Sequence, residues 1–158
     1  MAANPIPNSV LGYGLLGAVP FVAPPLLSLS SPAHAGFLGI ISVAYGALIV
    51  SFLGGARWGL EVARPAPRAG VITLAMLPTI AALLLLLAPM MVAMAPARQL
   101  KLMAVLLVVH FLWDLRARGL PPWYPRLRAI LTFVAVAGLM AMAGIADKAS
   151  EAGGATMV

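Results

Sequence analysis

Five long apolar runs constrain the fold of this chain more than any other feature. A run of about 18 or more apolar residues is typical of a transmembrane helix. The runs predict an all-α, polytopic integral membrane protein: a single domain, residues 1–146, built as a bundle of five transmembrane helices, with a short polar tail at 147–158. The predicted spans are approximately 9–29, 36–60, 71–88, 97–115 and 127–146.

Composition supports a membrane protein and excludes a soluble domain. The chain is 63% hydrophobic and 9% charged, whereas a soluble domain carries about 25% charged residues. A net charge of +6 would indicate nucleic-acid binding in a soluble protein, but here the basic residues lie between the apolar runs, where membrane topology places them. We therefore expect a lipid bilayer with anionic headgroups as the partner, and no nucleic acid.

Two kinds of feature could shorten or remove a helix. We expect Pro20 to kink the first helix, Pro78 to kink the third and Pro89 to end it, because proline lacks the amide hydrogen that a helix uses. Ala33 and Ala35 form an A-x-A pattern that a signal peptidase could cut. However, no lysine or arginine precedes it, and the apolar run is longer than in a signal peptide. The first run is therefore expected to remain as a helix.

The distribution of basic residues predicts the orientation. With five spans, seven arginines fall on the side of the N-terminus: Arg57, Arg64, Arg68, Arg116, Arg118, Arg126 and Arg128. Three basic residues fall on the other side: Arg98, Lys101 and Lys148. Because basic residues accumulate on the cytoplasmic side, the N-terminus is predicted to be cytoplasmic and the C-terminus to lie on the opposite side. The expected location is the bacterial inner membrane, or the mitochondrial inner membrane if the protein is eukaryotic.

Small residues recur every four positions in the second run. They are Ala47, Ser51, Gly55 and Gly59, and small residues let helices in lipid approach closely. This row predicts a packing seam against another helix of the same chain. A homodimer face is the alternative, and the pattern alone does not choose between them.

Ionisable and aromatic residues collect near the cytoplasmic ends of the second and fourth spans. Residues four apart share a helix face, which places Arg57 with Glu61 and His110 with Asp114. We expect an Arg57–Asp114 pair, with His110 able to donate to Asp114. The candidate mouth for a ligand or partner comprises Arg57, Trp58, Glu61, His110, Asp114, Trp123, Tyr124 and Arg128. The simpler interpretation is that the arginines fix topology and the aromatic residues form an interfacial belt.

Catalytic and metal sites lack support in the sequence. Two distant histidines, no cysteine and four acidic residues offer no metal cluster, and no P-loop, G-x-S-x-G or H-E-x-x-H motif is present. We expect no enzyme, no catalytic residue, no metal and no cofactor.

Three stretches resemble a known family. They are "LGYGLLGAVPF", "AYGALIVSFLGGARWGLE" and "LWDLRARGLPPWYPRLRAILT". They are similar to the uncharacterised bacterial domain-of-unknown-function 3429 family, which includes mitochondrial transmembrane protein 69. The resemblance covers roughly residues 9–145. It implies a small multi-spanning membrane protein that keeps its first helix, and it implies no catalytic residues.

Three functions are compatible with these features. The first is a non-enzymatic accessory or assembly subunit of a larger membrane complex. The second is a lipid- or amphiphile-binding protein, or a small transporter, that uses the polar mouth at the cytoplasmic face. The third and least favoured is a membrane-bound enzyme that uses His110 and Asp114.

Overall fold

The computed structural model describes residues 5–117 and 119–155, without the side chains of 153–155. Within these ranges the chain is helical, with no strand. The helices are α1 (Asn8–Ser30), α2 (Ala35–Val62), α3 (Ala69–Met91), α4 (Pro96–Asp114) and α5 (Tyr124–Ala155), and a short 3₁₀ turn, Pro32–His34, joins α1 to α2. The five long helices are each long and apolar enough to cross a membrane. The predicted five-helix fold is thus confirmed.

Two of the helices continue past positions at which the sequence predicts that they end. The helix α3 includes Pro89 and ends at Met91, where the amide of Val92 donates to the carbonyl of Ala88 at 2.9 Å. Proline removes its own donor, yet the turn after it keeps its hydrogen bond. Beyond residue 146, α5 continues to Ala155, so the predicted tail is helical as far as the structure describes it. Alanine, lysine and glutamate in this segment are good helix formers, and polarity alone does not end a helix.

Glycines set the closest approaches between helices. A Cβ at Gly54 of α2 would lie 2.7 Å from the carbonyl oxygen of Ala75 in α3, and one at Gly46 would lie 2.6 Å from Met103 Cγ in α4. At Gly138 of α5 it would collide with the backbone of Phe21 in α1. These contacts place α2 against both α3 and α4, and α1 beside α5.

The predicted packing seam is corrected by the structure. Ala47 is buried and Ser51 lies 3.1 Å from Thr79 of α3, oxygen to oxygen. Gly55 and Gly59, by contrast, are exposed, and a Cβ at either would meet nothing within 4 Å. The reason is geometric: a row with four-residue spacing drifts about 40° per step. A row that begins inside at Ala47 has therefore rotated to the outer surface by Gly55.

The core lies mainly between α2, α4 and α5. Its largest fully buried side chains include Val50, Leu100, Met103, Leu139 and Met142. Large apolar side chains also cover the outer surface, as in helices that face lipid. Polar side chains that meet between α2, α4 and α5 are therefore exceptional in this bundle.

Candidate functional site

Ionisable side chains from three helices meet at one end of the bundle. The C-terminal ends of α2 and α4 and the N-terminal end of α5 come together there, next to the connection between α2 and α3. Since α1 lies beside α5, with Gly14 near Leu131 and Gly138 near Phe21, these two helices run parallel. The start of α1 therefore lies at this same end.

Asp114, the last residue of α4, is the centre of this group and is 3% exposed. Arg128 Nε donates to its Oδ2 at 2.9 Å, and the Tyr124 hydroxyl reaches the same oxygen at 3.5 Å. Arg57 Nε lies 3.8 Å from Oδ1. A buried carboxylate without a partner is strongly destabilising, so these contacts tie α2 and α5 to α4. We call Arg57, His110, Asp114, Tyr124 and Arg128 the Asp114 cluster.

Arg57 has a second partner besides Asp114. Its guanidinium carbon lies 4.5 Å from the centre of the Trp113 ring, a cation–π contact. The side chain of Arg57 is 11% exposed. It thus points into the bundle while the adjacent Gly55 and Gly59 face outward, which is the reverse of the arrangement expected if those glycines formed an internal seam.

His110 lies beside Asp114 without a hydrogen bond to it. Nδ1 is 3.6 Å from Asp114 Oδ2, longer than a hydrogen bond to an oxygen. The ring is 3% exposed, and among the described residues neither of its nitrogens has a hydrogen-bond partner. Its ring packs edge-on against Trp113, with 5.5 Å between the ring centres. The expected donation from His110 to Asp114 is therefore replaced by close packing.

Glu61 belongs to a separate ion-pair group. Arg68 donates hydrogen bonds to its carboxylate from Nε and Nη2, both at 2.8 Å, and from its backbone amide at 2.9 Å. Arg64 Nε lies 3.3 Å from the same carboxylate. The hydrogen bonds to Glu61 raise the pKa of Arg68 above its ordinary value. Glu61 therefore fastens the turn between α2 and α3 and does not join the Asp114 cluster.

A cationic pocket of about 320 Å³ lies beside Arg57 and Glu61. We call it the arginine pocket, and its lining is Arg57, Leu60, Glu61, Arg64, Arg68 and Arg116. Four guanidinium groups line it with a single carboxylate. Such a concave group of arginines has the chemistry to bind a phosphate or carboxylate, because guanidinium groups form charge-assisted, often bidentate hydrogen bonds to these anions.

Comparison with known proteins decides the family. The model of the family described as "Protein of unknown function (DUF3429)" matches residues 6–144. The chain belongs to the DUF3429 family. Transmembrane protein 69 of Xenopus tropicalis is 36% identical to this DUF3429 chain over 143 residues, covering 88% of the chain and 55% of the relative. Transmembrane protein 69 of Mus musculus is 39% identical over 61 residues, covering 39% of the chain and 25% of the relative.

The DUF3429 chain thus spans about half the length of the first of these curated relatives and a quarter of the second. No solved structure matches it significantly. The relatives' names state a transmembrane protein and no activity. Together with the five apolar helices, they support a multi-pass membrane protein.

The aromatic residues predicted for the mouth of this DUF3429 chain divide into two groups. Tyr124 contacts Asp114, and Trp123 is half-buried with its ring centre 6.3 Å from that of Tyr124. Trp58, by contrast, is 46% exposed at the outer surface of α2. Gly119, in the connection before α5, has a φ of 84°, a left-handed conformation that favours glycine. The neighbouring Arg118 lies outside the described residues.

Two contacts are not predicted from the sequence: that of Arg57 with Trp113 and that of Glu61 with Arg68. Trp113 looks like one member of an aromatic belt, but its position three residues after His110 already places both on one face of α4. The Glu61–Arg68 pair spans seven residues and a turn, so no helical spacing predicts it.

Among the described residues, no three histidine, cysteine or acidic side chains come close enough to form a metal site.

Proposed function

We propose that this protein binds the anionic headgroup of a phospholipid in the arginine pocket, without catalysing a reaction. The proposal includes a cytoplasmic location for this end, in the bacterial inner membrane or, in a eukaryote, the mitochondrial inner membrane. The observation that supports it most is the pocket itself: four arginines around about 320 Å³ at the end of membrane-spanning helices.

The local charge balance favours an anion. Among the described residues of the arginine pocket and the adjoining Asp114 cluster, five arginines accompany two carboxylates, those of Glu61 and Asp114. An excess of positive charge in a concave site attracts and retains an anion. A phosphodiester supplies the compensating charge and enough oxygens to accept from several guanidinium groups at once.

The position of the pocket favours a lipid over a free anion. The pocket is lined by the last turns of α2, by the α2–α3 connection and by Arg116 just beyond α4. This is the level of the headgroups when these helices span a bilayer. Glu61 holds Arg68 by two side-chain hydrogen bonds of 2.8 Å. This preorganised arrangement reduces the entropy lost on binding.

A thermal-shift measurement tests this proposal. Anionic phospholipid added to detergent-purified protein should raise the unfolding midpoint, because a ligand that binds the folded state stabilises it by mass action. Zwitterionic lipid and inorganic phosphate at equal concentration should raise it much less. In the Arg64→Gln, Arg116→Gln double variant the anionic-lipid effect should largely disappear.

The matched control removes two basic residues from the other end, with Arg98→Gln and Lys148→Gln. It should keep the full lipid effect. Equal stabilisation of all variants by anionic and zwitterionic lipid would overturn the proposal. A response to inorganic phosphate as large as the response to lipid would identify a soluble anion as the ligand and reject the lipid.

The second candidate function is an accessory or assembly subunit of a larger membrane complex. The exposed pair Gly55 and Gly59 favours it, since this G-x-x-x-G faces outward and a Cβ at either glycine would meet nothing within 4 Å. Small residues on such a face allow a helix from a partner, or a second copy of this chain, to approach closely.

A bulky substitution at Gly55 tests whether this face binds a partner or packs against another helix of the same chain. Gly55→Leu should leave the purified monomer folded, because no neighbour in the chain is displaced, and should reduce the recovery of co-purifying membrane proteins or of a dimer. The control is Gly12→Leu, because Gly12 on α1 is also open: a Cβ there would meet nothing within 4 Å. If Gly55→Leu recovers as much co-purifying protein or dimer as the wild type, the Gly55–Gly59 face does not bind a partner.

A further inference from the structure

A second cavity lies between α1, α2, α4 and α5 and shares no lining residue with the arginine pocket. Its volume is about 190 Å³, well above the roughly 10–15 Å³ that one water requires. Phe21, Leu53 and Leu107 form buried apolar walls. Tyr13 and Phe52 also line it and are 78% and 70% exposed. The cavity therefore opens on the side of the bundle that faces lipid.

Two polar side chains of α5 interrupt these apolar walls. Arg128 and Thr132 both line the cavity and are each 6% exposed. They are four residues apart and so share a helix face. Among the described residues, Arg128 Nη2 and Thr132 Oγ1 are buried without a hydrogen-bond partner. Leaving a buried donor unsatisfied is costly, and such groups in native proteins call for an explanation.

Thr132 differs from other hydroxyl residues in the same bundle. Ser28, Ser42 and Thr73 each donate to the carbonyl four residues earlier, at 2.8, 2.9 and 3.1 Å. This local bond is the usual way in which a serine or threonine satisfies its hydroxyl inside a helix. Thr132 does not make it, so its hydroxyl remains available to a molecule in the cavity.

The charge at this end of the cavity selects the kind of molecule. Among the described residues, Arg128 and Arg57 share the single carboxylate of Asp114, so the buried Asp114 cluster carries one more guanidinium charge than carboxylate charge. A carboxylate would neutralise it and accept hydrogen bonds from Arg128 and Thr132 together. A neutral oxygen would accept the bonds without supplying the charge.

We propose that this cavity binds a single-chain amphiphile with a carboxylate head, the chemistry of a fatty acid. The carboxylate accepts from Arg128 Nη2 and Thr132 Oγ1. The chain follows the apolar wall formed by α1 and α2 and leaves past Tyr13 and Phe52 into the lipid. This site shares no lining residue with the arginine pocket, although Arg57 contributes to the positive charge near both.

Equilibrium binding of radiolabelled dodecanoic acid to the delipidated full chain tests the site, with dodecanol as the neutral probe. The wild type should bind one molecule of the acid, and dodecanol should bind at least tenfold more weakly. Thr132→Val removes one hydrogen bond to a charged group while keeping the Arg128–Asp114 pair. It should weaken binding about tenfold. Thr73→Val, an exposed and locally bonded threonine, is the matched control and should bind as the wild type does.

A cavity-filling pair provides an independent measurement. A Cβ at Gly17 makes only an ordinary contact with Tyr45 at 3.8 Å, and one at Gly12 meets nothing within 4 Å. Gly17→Leu should therefore abolish binding by occupying the cavity, and Gly12→Leu should leave it intact. The Arg64→Gln, Arg116→Gln variant should bind dodecanoic acid normally, which keeps this test separate from that of the arginine pocket.

Three results would overturn the inference. One is equal affinity for the acid and the alcohol. Another is unchanged binding in both Thr132→Val and Gly17→Leu. The third is a tightly held two-chain phospholipid that the acid does not displace, since the cavity would then be occupied by bilayer lipid.

Discussion

Asp114 is the residue on which the three-helix contact depends. Its removal in Asp114→Ala would leave Arg57 and Arg128 buried without a carboxylate. Breaking a buried ion pair costs about 3–5 kcal/mol. We expect a large drop in the unfolding midpoint of the detergent-purified protein, measured by loss of the monodisperse peak after heating.

The control for this substitution is Asp147→Ala. Asp147 accepts from Lys101 at 2.8 Å in a pair that is about half exposed, and exposed pairs contribute about 1 kcal/mol or less. A midpoint for Asp114→Ala equal to that of Asp147→Ala would show that the Asp114 cluster does not hold the bundle together.

At the residue scale, helical spacing predicts neighbours on one helix but not partners across helices. The four-residue spacing of His110 and Asp114 correctly places them on one face. Arg57 does approach Asp114, but Arg128 is the nearer partner, at 2.9 Å against 3.8 Å. That choice depends on where the connection between α4 and α5 places Tyr124 and Arg128, and a single sequence does not specify this.

At the element scale, adjacent glycines in α2 have opposite roles. A Cβ at Gly54 would lie 2.7 Å from the backbone oxygen of Ala75, while one at Gly55 would meet nothing within 4 Å. Gly54→Ala should therefore separate α2 from α3 and cost about 1–3 kcal/mol, as overpacking does. Gly55→Ala should change the unfolding midpoint little. If Gly55→Ala lowers the unfolding midpoint more than Gly54→Ala does, then Gly55, and not Gly54, faces α3, contrary to this packing.

The existence of the helices follows from the sequence far more directly than their faces do. Five apolar runs of sufficient length have one structural outcome in a membrane, and the structure contains them. The four-residue row from Ala47 to Gly59 describes a line that winds around the helix. Where this line turns away from the neighbouring helices depends on the position of α3. That position is seen in the close approach of the Ala75 backbone to Gly54.

At the scale of the whole molecule, the five helices place the two ends of the chain on opposite sides when all of them span. The proposed orientation puts the α2–α3 connection in the cytoplasm, as the excess of arginines there favours. Because the chain has no cysteine, single cysteines can report on it. An impermeant maleimide should label Ser150→Cys in intact cells and Ala66→Cys only in inverted vesicles. The opposite pattern would reverse the orientation.

Lipid binding in the arginine pocket is the central functional claim, and native mass spectrometry of the protein released from anionic-lipid nanodiscs tests it most directly. We predict one retained anionic phospholipid on the wild type and on the Arg98→Gln, Lys148→Gln control. The Arg64→Gln, Arg116→Gln variant should retain several-fold less. Equal retention of that lipid by the Arg64→Gln, Arg116→Gln variant and the control would contradict the assignment of the arginine pocket as a headgroup site.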